Sequence, residues 1–266
     1  DAPDTPGAGE PYDRLRQQHG FRLRETKVDS DATRPRACFV FSENLRKGRF
    51  DFAPFIRQVG TDNPPITVED RQICVDGLNH GQRYTFQLRE GLPSEIVGED
   101  LMRTVDVSVY VRDRTPSVRF TGRSYVLPRA GQRGLPVVSV NLESVDVEIF
   151  RLGDRSIAQT VQEEFPRPLE NYELQNLVSE RGMSVWKGQL AVESRLNTDV
   201  TTAFPIDETV RSLDPGVYII TAKPTNAQRR GDDDDYGNGR VHQWFIVSDL
   251  GITAMSGIDG VHGFVH

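Results

Sequence analysis

The stretch Val105-Asp106-Val107-Ser108-Val109-Tyr110-Val111 places four valines at every second position, with polar or amphipathic residues between them. Side chains alternate between the two faces of a β-strand, so this pattern predicts a strand with one buried and one exposed face. The same alternation recurs over Tyr84–Leu88 and Val145–Phe150. The chain is therefore predicted to be built from half-buried antiparallel strands.

Further strands are predicted by short apolar runs, which Gly, Asp and Pro turn signals separate. These runs are Ala37–Phe41, Gln72–Val75, Val137–Val140, Met183–Leu190, Val217–Thr221 and Gln243–Val247. Many short strands with few helices between them favour packed antiparallel sheets over parallel βαβ units. The predicted fold class is mostly β, with tandem antiparallel β-sandwiches.

One region departs from the strand pattern and predicts a helical insertion over residues 155–182. Ser156 begins a capping-box pattern, and Ile157, Val161 and Phe165 follow at helical spacing. Asn171 is placed to cap a second short helix, which would end at Gly182.

The domain organisation predicted from these elements has four parts. Residues 1–20 are a Pro- and Gly-rich linker, residues 21–113 and 116–248 are two sandwiches, and residues 249–266 begin a following unit. The joint falls before Pro116, because the residue before a proline favours extended backbone. Both ends of the sequence indicate a mature or excised piece of a longer protein.

Composition excludes several classes of function. The chain has 266 residues and a formal net charge of −7, with 36% hydrophobic residues, enough for folded cores. This acidic balance argues against a nucleic-acid partner, which needs clustered positive charge. No apolar run approaches the roughly 20 residues that a membrane span requires, so no membrane contact is predicted.

No motif in the sequence indicates catalysis, a cofactor or a metal. The five histidines form no His-Glu-x-x-His pair, and no Gly-x-Ser-x-Gly elbow or phosphate-binding glycine loop is present. His80 and His242 fall at a turn and a strand edge, and Trp186 and Trp244 at strand positions typical of packing. The sequence predicts no enzyme activity.

Two features leave alternatives open. Cys38 and Cys74 could form a disulfide, stabilising the fold by about 3–4 kcal/mol through loop closure, or remain two buried free thiols. The acidic run Asp232–Asp235 could hold Ca²⁺ through its oxygens, although it fails the EF-hand pattern. A solvated hairpin loop explains the run better, because adjacent like charges repel when they are folded inward.

Several segments resemble those of bacterial α2-macroglobulin-like proteins. These segments are Arg123–Asn141, Val145–Arg155 and the closing Gln243–Ala254, and the part Tyr125–Asn141 is the most specific. Cys38–Leu45 and Gln82–Phe86 fit the preceding domain of that family. The resemblance extends over residues 21–266 and implies macroglobulin-type, fibronectin-III-like sandwiches.

The resemblance implies that the longer protein is an extracytoplasmic inhibitor, expected in the periplasm, that traps proteases and can be tethered to a membrane. Family members cage a protease after it cuts a bait region, and many acylate it through a Cys-Gly-Glu-Gln thioester. Here Cys38 precedes Phe39-Val40-Phe41 and Cys74 precedes Val75-Asp76-Gly77, so neither cysteine carries that motif. The loop Pro166–Asn171 is expected to be exposed, but its two prolines make it a poor protease substrate.

The function expected from the resemblance is that of a scaffold segment without thioester or bait region. Its partners would be target proteases, through the full-length protein, and neighbouring macroglobulin domains. An extracytoplasmic setting favours the Cys38–Cys74 disulfide. The alternative is an Ig-like surface adhesin or assembly module that binds protein or glycan.

Overall fold

The computed structural model describes residues 20–265, except 62, 123, 128–133, 164, 166, 207–212, 226–238, 249–251 and 259. The chain divides into two compact units between Arg114 and Thr115. The predicted linker, apart from Gly20, lies outside the described residues.

Unit 1 is a β-sandwich with a single 3₁₀ turn, Ala53–Phe55, among its described residues. Its strands are β1 (Leu23–Asp29), β2 (Arg36–Phe41), β3 (Ile56–Gln58), β4 (Ile66–Glu69), β5 (Gln72–Val75), β6 (Gln82–Leu88) and β7 (Val105–Val111).

The strands of unit 1 form two antiparallel sheets, in the orders β1-β2-β5-β4 and β3-β6-β7. Phe39 of β2 and Phe86 of β6 are fully buried and meet edge to face, with ring centroids 5.2 Å apart. In β7, Val109 and Val111 are buried while Tyr110 is exposed, as the alternation predicts. The apolar faces of the two sheets thus form one core.

In its described residues, unit 2 contains a second sandwich and two α-helices. Its strands are β8 (Ser117–Phe120), β9 (Ser124–Leu127), β10 (Gly134–Val140), β11 (Ser144–Leu152), β12 (Gly182–Ala191), β13 (Val200–Pro205), β14 (Gly216–Pro224), β15 (Val241–Val247), β16 (Ile252–Gly257) and β17 (Gly260–Val265). A 3₁₀ turn, Asp154–Ser156, leads into α1 (Ile157–Glu163), and α2 (Asn171–Arg181) follows.

The sandwich of unit 2 has a three-stranded sheet, β13-β10-β8, and a five-stranded sheet, β12-β11-β14-β15-β9. Trp186 of β12 and Phe204 of β13 pack edge to face, with ring centroids 5.2 Å apart. The described strand pairs are antiparallel with one exception: β9 runs parallel to β15. β8 lies in the other sheet, so β9 joins its sheet by a crossover and no hairpin fixes its direction.

The predicted helical insertion is present, but its helix starts differ from the prediction. A 3₁₀ turn ending at Ser156 precedes α1, and Phe165 lies beyond the end of that helix. Asn171, the predicted cap of the second helix, is its first helical residue, and Glu170 occupies the N-cap. A carboxylate can accept the free N–H groups of a first turn, so Glu170 and Glu173 take that role.

The hairpin β16–β17 pairs only with itself among the described strands. Met255, Val261 and Phe264 are 56%, 76% and 53% exposed. A lone two-stranded hairpin is marginally stable in water. The assignment of residues 249–266 to a following unit, like the other domain bounds, stays a prediction.

Candidate functional site

The two cysteines lie directly opposite one another on neighbouring strands of unit 1. The register of β2 and β5 pairs Cys38 with Cys74, and a disulfide joins them. Cys38 is 7% exposed and Cys74 is fully buried. Neither sulfur is therefore available as a thiolate nucleophile, a metal ligand or a thioester donor.

Among the described residues, no group of three or more His, Cys, Asp or Glu side chains could hold a metal ion. The run Asp232–Asp235 lies outside the described residues. His80 is half-buried, and its Nε2 lies 3.0 Å from the carbonyl oxygen of Ser30, to which it donates. In the part of the chain that the structure describes, no helix is long and apolar enough to cross a membrane.

The five-stranded sheet has one face toward the sandwich core and an opposite face, here called the outer face. The helical insertion covers one end of this outer face. Leu174 and Leu177 of α2 pack there against Leu152, Ile219 and Trp244 in an apolar cluster separate from the sandwich core. This apolar contact holds the two helices on the sheet.

Two side-chain ring nitrogens of β15 form hydrogen bonds with the backbone of the segment between α1 and α2. The backbone N–H of Leu169 donates to His242 Nε2 at 3.2 Å, and Trp244 Nε1 donates to the carbonyl oxygen of Arg167 at 3.2 Å. Leu169 is buried. The interpretation of Pro166–Asn171 as an exposed loop is therefore wrong for Leu169, because strand side chains bind the backbone on both sides of Pro168.

Glu173 organises the start of α2. Arg167 donates to both of its carboxylate oxygens, at 3.0 and 3.1 Å, and the N–H of Glu170 donates to Oε2 at 2.9 Å. The hydrogen bonds from Arg167 have the largest effect, and with that from the Glu170 N–H they hold the pKa of Glu173 below its ordinary value. The carboxylate links the inter-helix segment to the helix that follows it.

The burial of the His242 ring is expected to make the stability of unit 2 depend on pH. Burial lowers the pKa of His242 below its ordinary value of 6.5, because the site disfavours the charged ring. The unfolded chain takes up this proton as the pH falls through 6.5, while the folded chain resists it. The His242 contribution is therefore complete above that pH and declines below it, toward the lowered folded pKa.

Measuring the urea unfolding of unit 2 at pH 8, 6 and 5 tests this expectation. His242→Gln retains an acceptor for the Leu169 N–H but does not titrate, so it should flatten part of the pH dependence. An unchanged pH profile in this variant would contradict the assignment.

An open depression of about 250 Å³ lies on the other end of the same outer face. Its carboxylates, Asp146 and Glu148, lie between three cations: Lys223 is 4.0 Å from Asp146, and Lys187 and Arg240 are 3.9 and 3.8 Å from Glu148. No histidine or cysteine is among the described residues that line it. Such a surface suits binding or cross-strand stabilisation.

Gln243 is a polar residue whose burial the sequence pattern did not indicate. It lies on the face of β15 toward the sandwich core, is 1% exposed, and neither Oε1 nor Nε2 has a hydrogen-bond partner among the described residues. Its neighbour Phe245 belongs to the core cluster, and Val241 packs against that cluster. An unsatisfied buried amide costs stability.

Replacing Gln243 with methionine, which has a similar length, is therefore expected to raise the free energy of unfolding of unit 2 by about 1–3 kcal/mol. The gain comes from removing two buried polar atoms that have lost their water. Urea unfolding followed by tryptophan fluorescence measures it, and Gln243→Glu should destabilise the same transition. Destabilisation by methionine would show that the amide has a partner.

A scan against protein-family models matches residues 119–228 to the bacterial alpha-2 macroglobulin MG2 domain. The match covers most of the unit 2 sandwich and its helical insertion.

Relatives and solved structures agree with this match. The chain is 28% identical to an alpha-2-macroglobulin of Xylella fastidiosa (strain Temecula1) over 64% of this chain and 10% of that protein. It is 27% identical to the alpha-2-macroglobulin of Escherichia coli K12 over 55% of this chain and 8% of that protein. The aligned part of the chain thus spans about a tenth of the length of these relatives.

The crystal structure of a Salmonella alpha-2-macroglobulin mutant covers 91% of this chain with a TM-score of 0.56 and 18% identity, and the chain covers 14% of it. At that identity the likeness concerns the fold alone, and it confirms the predicted β-sandwiches.

Proposed function

Because the chain is bacterial alpha-2-macroglobulin-like, we propose that it is a scaffold segment of a longer protein that inhibits endopeptidases by trapping them. The observation that carries the proposal is the family match over residues 119–228, which falls on the sandwich of unit 2 and its helical insertion. The two units would space and support the parts of the longer protein that meet the protease.

The disulfide between Cys38 and Cys74 is consistent with a scaffold role for this segment. A thioester requires a free cysteine sulfur to bond a glutamine side chain, and both cysteines of the chain are in one disulfide. The reactive steps of a trap would therefore belong to other parts of the longer protein. Target proteases would meet the whole assembly, and neighbouring macroglobulin domains of the same chain would contact this segment.

We propose that the longer protein lies outside the cytoplasm, in the periplasm. The Cys38–Cys74 disulfide supports this location, because disulfides persist in oxidising compartments and are rare in the bacterial cytoplasm.

The chain alone and the longer protein that contains it should behave differently toward a protease. Adding the isolated chain to trypsin is expected to leave cleavage of a protein substrate and of a small peptide substrate unchanged. The longer protein is expected to protect the protein substrate. Inhibition by the isolated chain would overturn the scaffold assignment, since the chain would then carry an inhibitory surface of its own.

A further inference from the structure

Among the described strands, β12 is a long edge strand that is paired on one side. It has ten residues, and among the described strands only β11 pairs with it. The backbone N–H and C=O groups along such an edge can form a ladder with another extended chain. β12 contains no proline, and Lys187 is its single charged side chain.

The side chains of β12 define what an added strand would meet. Trp186 and Leu190 pack against the sandwich core, while Lys187 and Gln189 are exposed on the outer face. The side chain of Lys187 is 76% exposed, and its Nζ lies 3.9 Å from Glu148, near the limit of an ion pair. Two of the three N–H donors of this ammonium can therefore turn toward a strand on the free side.

A second copy of β12 does not complement this edge. The sequence Gly-Met-Ser-Val-Trp-Lys-Gly-Gln-Leu-Ala has no acidic residue, so no pairing of two β12 strands places a carboxylate opposite Lys187. In the symmetric antiparallel pairing centred on this position, two lysines would face each other, which is destabilising. Lys187 thus disfavours self-association but not pairing with an acidic strand.

The inner neighbour of β12 shows which side chains complement the edge. The register places Glu148 opposite Lys187, and the flanking Val147 and Ile149 are buried in the core. Because side chains alternate along a strand, an added strand on the free side would need the same order of an acidic residue between two apolar residues.

From these observations we propose that the free edge of β12 binds an extended polypeptide segment that carries an acidic residue opposite Lys187, between two apolar residues. Backbone hydrogen bonds supply the pairing, and the position of the acidic residue sets the register. This edge is available whether or not the longer protein traps proteases.

A capped peptide with the sequence of β11, Ser144–Leu152, is a direct probe, because it is the strand that already complements β12. Titrated into the complete 266-residue chain, it is expected to bind saturably. Lys187→Glu should weaken binding about fivefold, from the lost attraction and the new repulsion across one strand pair. Lys47→Glu, an equal change of charge on a loop of unit 1, should leave the affinity unchanged.

Two altered peptides separate backbone pairing from charge attraction. A peptide with Glu148→Lys should bind the native chain weakly and bind the Lys187→Glu variant better, and the first of these results needs no variant of the protein. A peptide N-methylated at alternate backbone nitrogens on its pairing side should not bind, since it cannot form the ladder. Absence of saturable binding, equal binding of the N-methylated peptide, or dimerisation of the chain through β12 would each overturn the proposal.

Discussion

Replacing Cys38 and Cys74 together with alanine is expected to lower the free energy of unfolding of unit 1 by about 3–4 kcal/mol. The disulfide joins positions separated by 36 residues, and it restricts the unfolded chain by closing that loop. Both side chains are buried on paired strands, so the alanines also leave small cavities. This loss is a large share of the stability of a small domain.

Thermal unfolding of the whole chain measures the effect, with the transition of unit 2 as an internal control. Dithiothreitol should lower the unit 1 transition of the native chain and leave that of the double-alanine variant unchanged. If the native chain unfolds at the same temperature with and without the reductant, the disulfide has no stabilising role.

Replacing Trp244 with alanine is expected to destabilise unit 2 by about 3–5 kcal/mol, the cost of removing a large buried aromatic ring. Trp244 is 1% exposed and packs edge to face on Phe165, with ring centroids 5.6 Å apart. Its Nε1 donates to the carbonyl oxygen of Arg167, so the change also removes one of the two ring-nitrogen hydrogen bonds described between β15 and the segment between the helices. The helical insertion should then detach from the sheet more readily than the strands separate.

Hydrogen exchange tests this order of events. In the Trp244→Ala variant, the amides of α1 and α2 should lose more protection than those of β10 and β11. Trp244→Phe retains a ring in the cluster and removes the donor, so it should cost about 1–2 kcal/mol. Equal loss of protection in helices and strands would contradict a separately anchored insertion.

Strand positions could be predicted from the sequence wherever one face is buried. The bounds Val105–Val111 and Gln72–Val75 agree with the structure at every residue, because alternation or an apolar run between turns marks both ends. The direction of β9 could not be predicted, since it depends on a partner strand more than a hundred residues later. Local pattern carries no information about that pairing.

The hydrogen bonds that hold the segment between the helices on the sheet could not be predicted from local sequence pattern either. The bonds from β15 to Arg167 and Leu169 join segments more than seventy residues apart in sequence. The capping error at Asn171 has a different cause, because asparagine is a common N-cap and the pair Glu170 and Glu173 gives a weaker signal. For the cysteines, spacing left two arrangements open, and only the register of β2 with β5 shows them opposite each other.

The most direct test of the proposed function uses the longer protein that contains this chain. It is incubated with a broad-specificity protease, and residual activity is then assayed in parallel on a protein substrate and on a small peptide substrate. A caged protease is expected to lose activity on the protein substrate and to retain it on the peptide. Equal activity on both substrates would contradict the trap for that protease and would favour an adhesin or surface-assembly module instead.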